Sequence, residues 1–170
     1  MRWISIDPSE KASGLAYWDG ASLVSVHTLR AAKGAKEKRQ GAVWIGDVLA
    51  FASLIDAWRS ALHYVPDVCA VFVEESMGKS PRSVAAIGEV RGYIRAACEL
   101  ESVPYKTVNT LEWRRVVGEA HGFSFPVHRE DAKARAVELV SEVYGRTLTD
   151  DEAEAVCVGM WAMRTRAVRV

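Results

Sequence analysis

Five carboxylates in this 170-residue chain stand where an α/β sheet would gather them. Asp7 ends the β-branched and aromatic run Trp3-Ile4-Ser5-Ile6. Glu74 lies near the end of "VCAVFVEE", a continuous apolar run of the kind found in a strand covered on both faces. Asp151 and Glu154 fall in the first turn of what reads as the last helix. They are three residues apart and share a face, and Asp150, four from Glu154, has the same reach. Open α/β sheets build sites at the carboxyl ends of their strands, so three elements can deliver acids to one place. Clustered carboxylates raise one another's pKa unless cations neutralise them. Oxygen-only ligands suit Mg²⁺ or Mn²⁺, which keep several waters and bind substrate phosphate. Two such ions roughly 3.5–4 Å apart can activate water and stabilise the leaving oxygen of a phosphodiester. In that chemistry the acids hold metal and need transfer no proton.

Each acid taken singly has an ordinary use. Asp7 can cap the turn that follows it. Only one of Glu74 and Glu75 can face a site, because strand neighbours point oppositely. Acids at 150–152 are what a helix N-terminus favours. Their joint placement on successive elements is what points to a centre.

The elements that must position these acids follow from periodicity. A first strand ends at Asp7, a second runs from about Gly14 to Trp18, and a third from about Ser22 to Leu29. The Asp19-Gly20 pair between the last two is a hairpin signal. Residues 30–41, rich in Lys, Gly and Ala, read as a basic connection. Apolar residues then recur at helical spacing from about Ala42 to Tyr64, and Pro66-Asp67 ends that helix. "VCAVFVEE" is the fourth strand, Ser80-Pro81 opens a helix, "VPYKTV" is a fifth strand, and "NTLEWRRVVG" starts a helix capped by Asn109 or Thr110. Two further helices cover about 129–144 and 150–166. A hairpin meander leading into βα units implies an α/β fold with a mixed five-stranded sheet flanked by helices. The length suits one domain spanning 1–170.

Composition narrows the class. Hydrophobic residues make up 49%, charged residues 26%, and the net charge is zero, so bulk electrostatics does not favour a nucleic-acid partner. Local charge is less even: Lys33, Lys36, Lys38 and Arg39 crowd one stretch, and Arg114 and Arg115 are adjacent. No signal pattern and no long apolar run stands in the sequence, which points to an intracellular, cytoplasmic protein without a membrane segment. Cys69, Cys98 and Cys157 sit in apolar company and read as buried free thiols.

Three segments, "ISIDPSEKASGLAYWD", "VFVEESMGKSPRSVAAIGEVRGYI" and "DDEAEAVCVGMWA", resemble the RuvC family of Holliday-junction resolvases in the RNase H-like superfamily, in family order. The middle segment carries Lys79, Ser80 and the Gly88-x-x-Arg91-Gly92 pattern, and "YKTVNTLEWRRVVG" resembles the family's later strand and basic segment. The resemblance implies an RNase H-like nuclease domain that acts as a homodimer on branched DNA in recombination and repair. It maps the acidic set onto Asp7, Glu74, Asp151 and Glu154, holding two Mg²⁺ or Mn²⁺ ions, with Asp150 as the alternative to Asp151. The family's last helix commonly carries Asp-x-x-Asp or His-x-x-Asp, where this chain has Asp-x-x-Glu. Met77 stands where the family often places an aromatic wedge. On this reading Lys79, Ser80, Arg82, Lys106, Arg114, Arg115 and the Lys33–Arg39 stretch contact phosphates, with Lys106 also a candidate for a catalytic contribution. The helix with Gly88 and Gly92 either forms the dimer contact or lies close to the sheet.

Other readings compete. An RNase H-like nuclease for flaps, forks or RNA would share these acids, and a non-catalytic junction-binding module would share the fold. "MGKS" mimics a P-loop tail, but the first glycine of that motif would fall at Val73. An actin-like ATPase would need a glycine soon after Asp7, where Pro8-Ser9-Glu10 stand, and a duplicated domain that 170 residues cannot hold.

Overall fold

The computed structural model describes residues 1–9, 12–30, 68–75 and 80–168. The helix expected over 42–64, the Lys33–Arg39 stretch, Met77 and Lys79 lie outside these residues. Strands β1 (Arg2–Asp7), β2 (Ala12–Asp19), β3 (Ser22–Arg30), β4 (Val68–Glu75) and β5 (Tyr105–Asn109) form one sheet, ordered β3-β2-β1-β4-β5. The three N-terminal strands are antiparallel, while β1 pairs β4 and β4 pairs β5 in parallel. This is the mixed sheet the hairpin and βα pattern implied. Gly20 turns the β2–β3 hairpin with φ +57°, a conformation that costs glycine little. Four helices are described: α1 (Pro81–Leu100), α2 (Thr110–Ala120), α3 (Arg129–Tyr144) and α4 (Asp150–Arg164).

Strand alternation sorts the sheet into two faces. Ile4, Ile6, Leu15, Tyr17, Val71 and Val73 pack against Val90, Ile94, Ala97 and Cys98 of α1. On the opposite face Trp3, Trp18, Phe72 and Val108 pack with α2, α3 and α4. The Trp3 and Trp18 rings stack there, 4.9 Å between centroids. Helix α4 is buried from Ala153 through Ala162, and Glu154 is the one charged residue in that span. It has no solvent stripe because the sheet lies beneath it and α2 and α3 beside it, the situation that favours a helix apolar all round.

Two close approaches seat α4. A Cβ on Gly159 would strike the Trp18 indole, and one on Gly14 would strike the Asp151 carbonyl. Gly14 lies directly opposite Asp7 in the β1–β2 ladder, so the first turn of α4 rests on the sheet beside the first acid. Ser5, buried in mid-strand, donates to the Ala155 carbonyl at 2.7 Å and accepts from Trp18 Nε1 at 2.9 Å. Thr28 of β3 donates to Glu152 at 2.6 Å. No described helix is long and apolar enough to cross a membrane.

Candidate metal centre

Asp7 and Glu74 leave β1 and β4 at adjacent parallel positions, one residue beyond the Ile6–Val73 pair. Both point to the α4 face, the side of Ser5 and Phe72. The first turn of α4 brings Glu154 down onto them. One carboxylate oxygen from each of Asp7, Glu74 and Glu154 lies within 4.8 Å of the others, and all three side chains are buried. Glu75, next to Glu74, points the other way, is exposed, and stands 3.8 Å from Arg91. The parity of the strand has selected one glutamate of the pair.

Burial keeps the Asp7 carboxyl protonated to well above its ordinary range, helped by the charge of Glu74, a hydrogen bond to it, and the charges of Glu154 and Asp151. Glu154 is also raised, first by burial and then by Glu74, while Arg114 and Lys133 pull it back. Groups in this state gain most from an arriving cation.

Side chains around the three acids fix them. Trp113 Nε1 of α2 donates to Glu74 Oε1 at 2.9 Å from a fully buried indole. Arg114 Nη2 binds Glu154 Oε1 at 2.8 Å, and its guanidinium lies 5.3 Å from the Trp113 ring centroid. Arg114 Nε is buried with no hydrogen-bond partner among the described residues. Lys133 of α3 is only 9% exposed and meets three acids: Asp150 Oδ2 at 2.7 Å, Asp151 Oδ1 at 2.9 Å and Glu154 Oε2 at 3.6 Å. Burial works against its charge, but the hydrogen bonds from Lys133 to Asp150 and Asp151 outweigh it and hold the ammonium protonated. The same bond lowers Asp150. Glu152 turns back to cap the helix through Thr149.

The four acids of this turn therefore face different surroundings, although Lys133 touches three of them. Glu154 joins Asp7 and Glu74, Asp150 and Asp151 face Lys133, and Glu152 caps. Among the expected phosphate contacts, Arg114 is engaged with Glu154, and Arg115 pairs with Glu119 on the solvent side of α2. Lys106 lies 5.2 Å from the Trp161 ring centroid, level with Phe72 in the ladder and two residues short of Glu74. Ser80 caps α1, its hydroxyl accepting from Ser83 N. Arg82 opens the same helix, its side chain outside the described set.

Sequence reading missed Lys133 and Trp113. Lys133 sits inside "REDAKARAVELV" and reads as a solvent residue. Yet Ala136, Val137 and Val140 follow it at +3, +4 and +7, the spacing of a shared helix face. That is the signal of an inward lysine.

No family model matches the chain. One curated relative, the crossover junction endodeoxyribonuclease RuvC of Polynucleobacter necessarius subsp. necessarius (strain STIR1), is 28% identical over 119 residues. That match covers 69% of this chain and 64% of the relative, so the chain aligns with just under two thirds of its length. Among solved structures, RuvC of T. thermophilus in complex with a Holliday junction substrate superposes with a TM-score of 0.71 at 15% identity, covering 98% of this chain and 96% of that one. A second T. thermophilus RuvC structure gives 0.68 at 17% identity, with the same coverage. The yeast mitochondrial Holliday junction resolvase gives 0.59 at 10% identity, covering 96% and 79%. The chain thus shares the fold of those RuvC and resolvase structures and is similar in sequence to a curated RuvC.

Proposed function

We propose that the chain is a metal-dependent endonuclease that hydrolyses phosphodiester bonds in branched DNA, as a crossover junction resolvase does. One observation carries this reading: the buried convergence of Asp7, Glu74 and Glu154 at the carboxyl ends of two parallel strands. Their donor set fits a hard divalent cation. It offers only oxygens, it is compact, and two of its acids are held above their usual pKa by burial and mutual repulsion. The likeness to RuvC structures, one of them bound to a Holliday junction, supports branched DNA as the substrate class.

Asp7, Glu74 and Glu154 are the residues that would hold Mg²⁺ or Mn²⁺, with Asp151 or Asp150 completing a two-ion set. When bound, the ions would supply activation of water and stabilisation of the leaving oxygen. The chain's own groups prepare that chemistry. Trp113 fixes the rotamer of Glu74, Arg114 anchors Glu154, and the surrounding apolar core keeps the carboxylates from being solvated individually. Lys79, Ser80, Arg82, Lys106 and Arg115 are the candidate phosphate contacts, and they orient the backbone without reading base identity.

A homodimer belongs to the same reading, because two centres can then cut two strands symmetrically. Val84, 45% exposed, and Gly88 and Gly92 support α1 as the contact. A Cβ on either glycine would meet no described atom within 4 Å, so among the described residues nothing opposes close approach there.

The test uses labelled four-way junction, fork, flap and linear duplex, each with and without Mg²⁺ or Mn²⁺. Metal-dependent cutting of the junction, lost in Asp7→Asn while junction binding persists, is the expected result. Equal cutting of linear duplex or an RNA hybrid would replace resolvase with a broader RNase H-like nuclease. No cutting with either ion, but retained junction binding, would make the chain a non-catalytic binding module.

A further inference from the structure

A lysine enclosed by three carboxylates at the edge of a metal centre is an unusual use of a buried cation. Lys133 reaches the centre from α3, a helix that contributes no acid to the set, and lies on its inward face beside Ala132 and Ala136. Its ammonium contacts Asp150, Asp151 and Glu154 together. Glu154 is one of the three convergent acids, and the charge of Asp151 is felt at Asp7. The ammonium therefore links one member of the Asp7–Glu74–Glu154 set to the two aspartates expected as further ligands. A simple tie between α3 and α4 would need one carboxylate. Here the lysine shares itself among three, one of them a shared member of the centre.

We propose that Lys133 is a tethered cation that holds the second-ion side of the centre. It keeps Asp151 and Asp150 for itself, so the chain binds one divalent cation tightly at Asp7, Glu74 and Glu154. A second ion binds only by displacing the ammonium from Asp151. The inference rests on the metal centre of the proposed function. Its physical basis is competition: a divalent ion entering beside Asp151 meets a fixed positive charge at close range, in surroundings that screen it poorly. The lysine is suited to yielding, since its ammonium is a compact charge on a flexible four-carbon stem that can swing aside, unlike a guanidinium locked in a fork. Before the second ion enters, Lys133 also spares Asp150 and Asp151 from adding to the repulsion among the three buried acids. It is a positioning residue, acting through Asp151 and Glu154.

The experiment counts ions without DNA. Mn²⁺ is titrated into this 170-residue chain and free Mn²⁺ is read by electron paramagnetic resonance, for wild type, Lys133→Gln, Lys133→Arg and Asp151→Asn. Wild type should bind one ion tightly and a second far more weakly. Lys133→Gln should tighten the second ion roughly 10–100-fold, the range over which neighbours of metal ligands act. Lys133→Arg should keep it weak, and Asp151→Asn should retain the first ion and lose the second. Two ions of equal affinity in wild type would overturn the assignment of Lys133, even if Lys133→Gln fails to fold. A Lys133→Gln curve that superimposes on wild type would overturn it too. In both cases the metal centre itself would stand. No bound Mn²⁺ in wild type would instead sink the metal centre and the proposed function with it.

Discussion

Asp7 is the residue at which repulsion concentrates. It is 5% exposed and its carboxyl is raised by burial first and by three neighbouring acids after that. A carboxyl raised on folding stabilises the fold fully below its ordinary value of 3.8 and loses that contribution as pH rises through the folded value. The raised Glu154 acts in the same direction from 4.5 upward. Lys133, raised above 10.5, and Asp150, lowered below 3.8, change charge outside this window. Metal-free protein should therefore lose stability from mildly acid to neutral pH, and Asp7→Asn should flatten that slope. At neutral pH the variant should melt about 2–8 °C higher without metal, the shift that 1–2 kcal/mol gives in a chain of this size. Mg²⁺ should raise the melting temperature of wild type and leave Asp7→Asn nearly unchanged. Calorimetric scans at several pH values, with and without Mg²⁺, check both parts, and a less stable Asp7→Asn would refute them.

At the scale of elements, the centre depends on how α4 meets the sheet. Ser5 accepts from the buried Trp18 indole N–H and donates to the Ala155 carbonyl, tying β1 to both β2 and α4. Ser5→Ala should destabilise the chain by about 1–3 kcal/mol, the cost of leaving a buried donor unpaired, as read by urea denaturation. Gly14→Val is the sharper probe of position, because its side chain must push the Asp151 backbone away from β2. It should weaken Mn²⁺ binding more than the conservative Gly159→Ala, which presses on the Trp18 ring at the other end of the same helix. Equal losses would show that seating the first turn is not special.

For the described elements, type and order were readable from the chain because each strand and helix obeys its own period. The Asp19-Gly20 turn, the Asn109 cap and the Thr149 cap all stand where local chemistry puts them. The partition of the acids was not readable. Asp150, Asp151, Glu152 and Glu154 sit within five residues, and only their distant partners tell them apart: Lys133, Thr28, Asp7 and Glu74. Lys133 was hidden for the same reason, since a lysine becomes an inward residue only when another element supplies its counter-charges. The choice between Glu74 and Glu75 needed the sheet's facing, which two equal glutamates at a strand end do not reveal.

For the whole molecule, zero net charge means that any affinity for DNA has to come from local patches and from the cations at the centre. Cleavage as paired incisions needs two such centres. Light scattering should give twice the chain mass at working concentration. Gly88→Glu, which places a charge on the proposed contact face of α1, should reduce this to one while leaving Mn²⁺ binding intact. A monomeric wild type would remove the paired-incision picture.

The enclosure of α4 also governs the order of assembly. Ser5 and Ala155 are 150 residues apart in the chain, and Thr28 and Glu152 are 124 apart. The contacts that create the acidic centre are among the longest loop closures the fold makes, and closures of that kind are slow. Whatever order the sheet and the other helices take, Asp7 and Glu74 have no third carboxylate until α4 docks. Docking covers Trp18, Trp3 and Phe72 in the same step. The tryptophan core and the three-acid cluster thus depend on the same docking of α4, and the cluster is incomplete until that helix is in place.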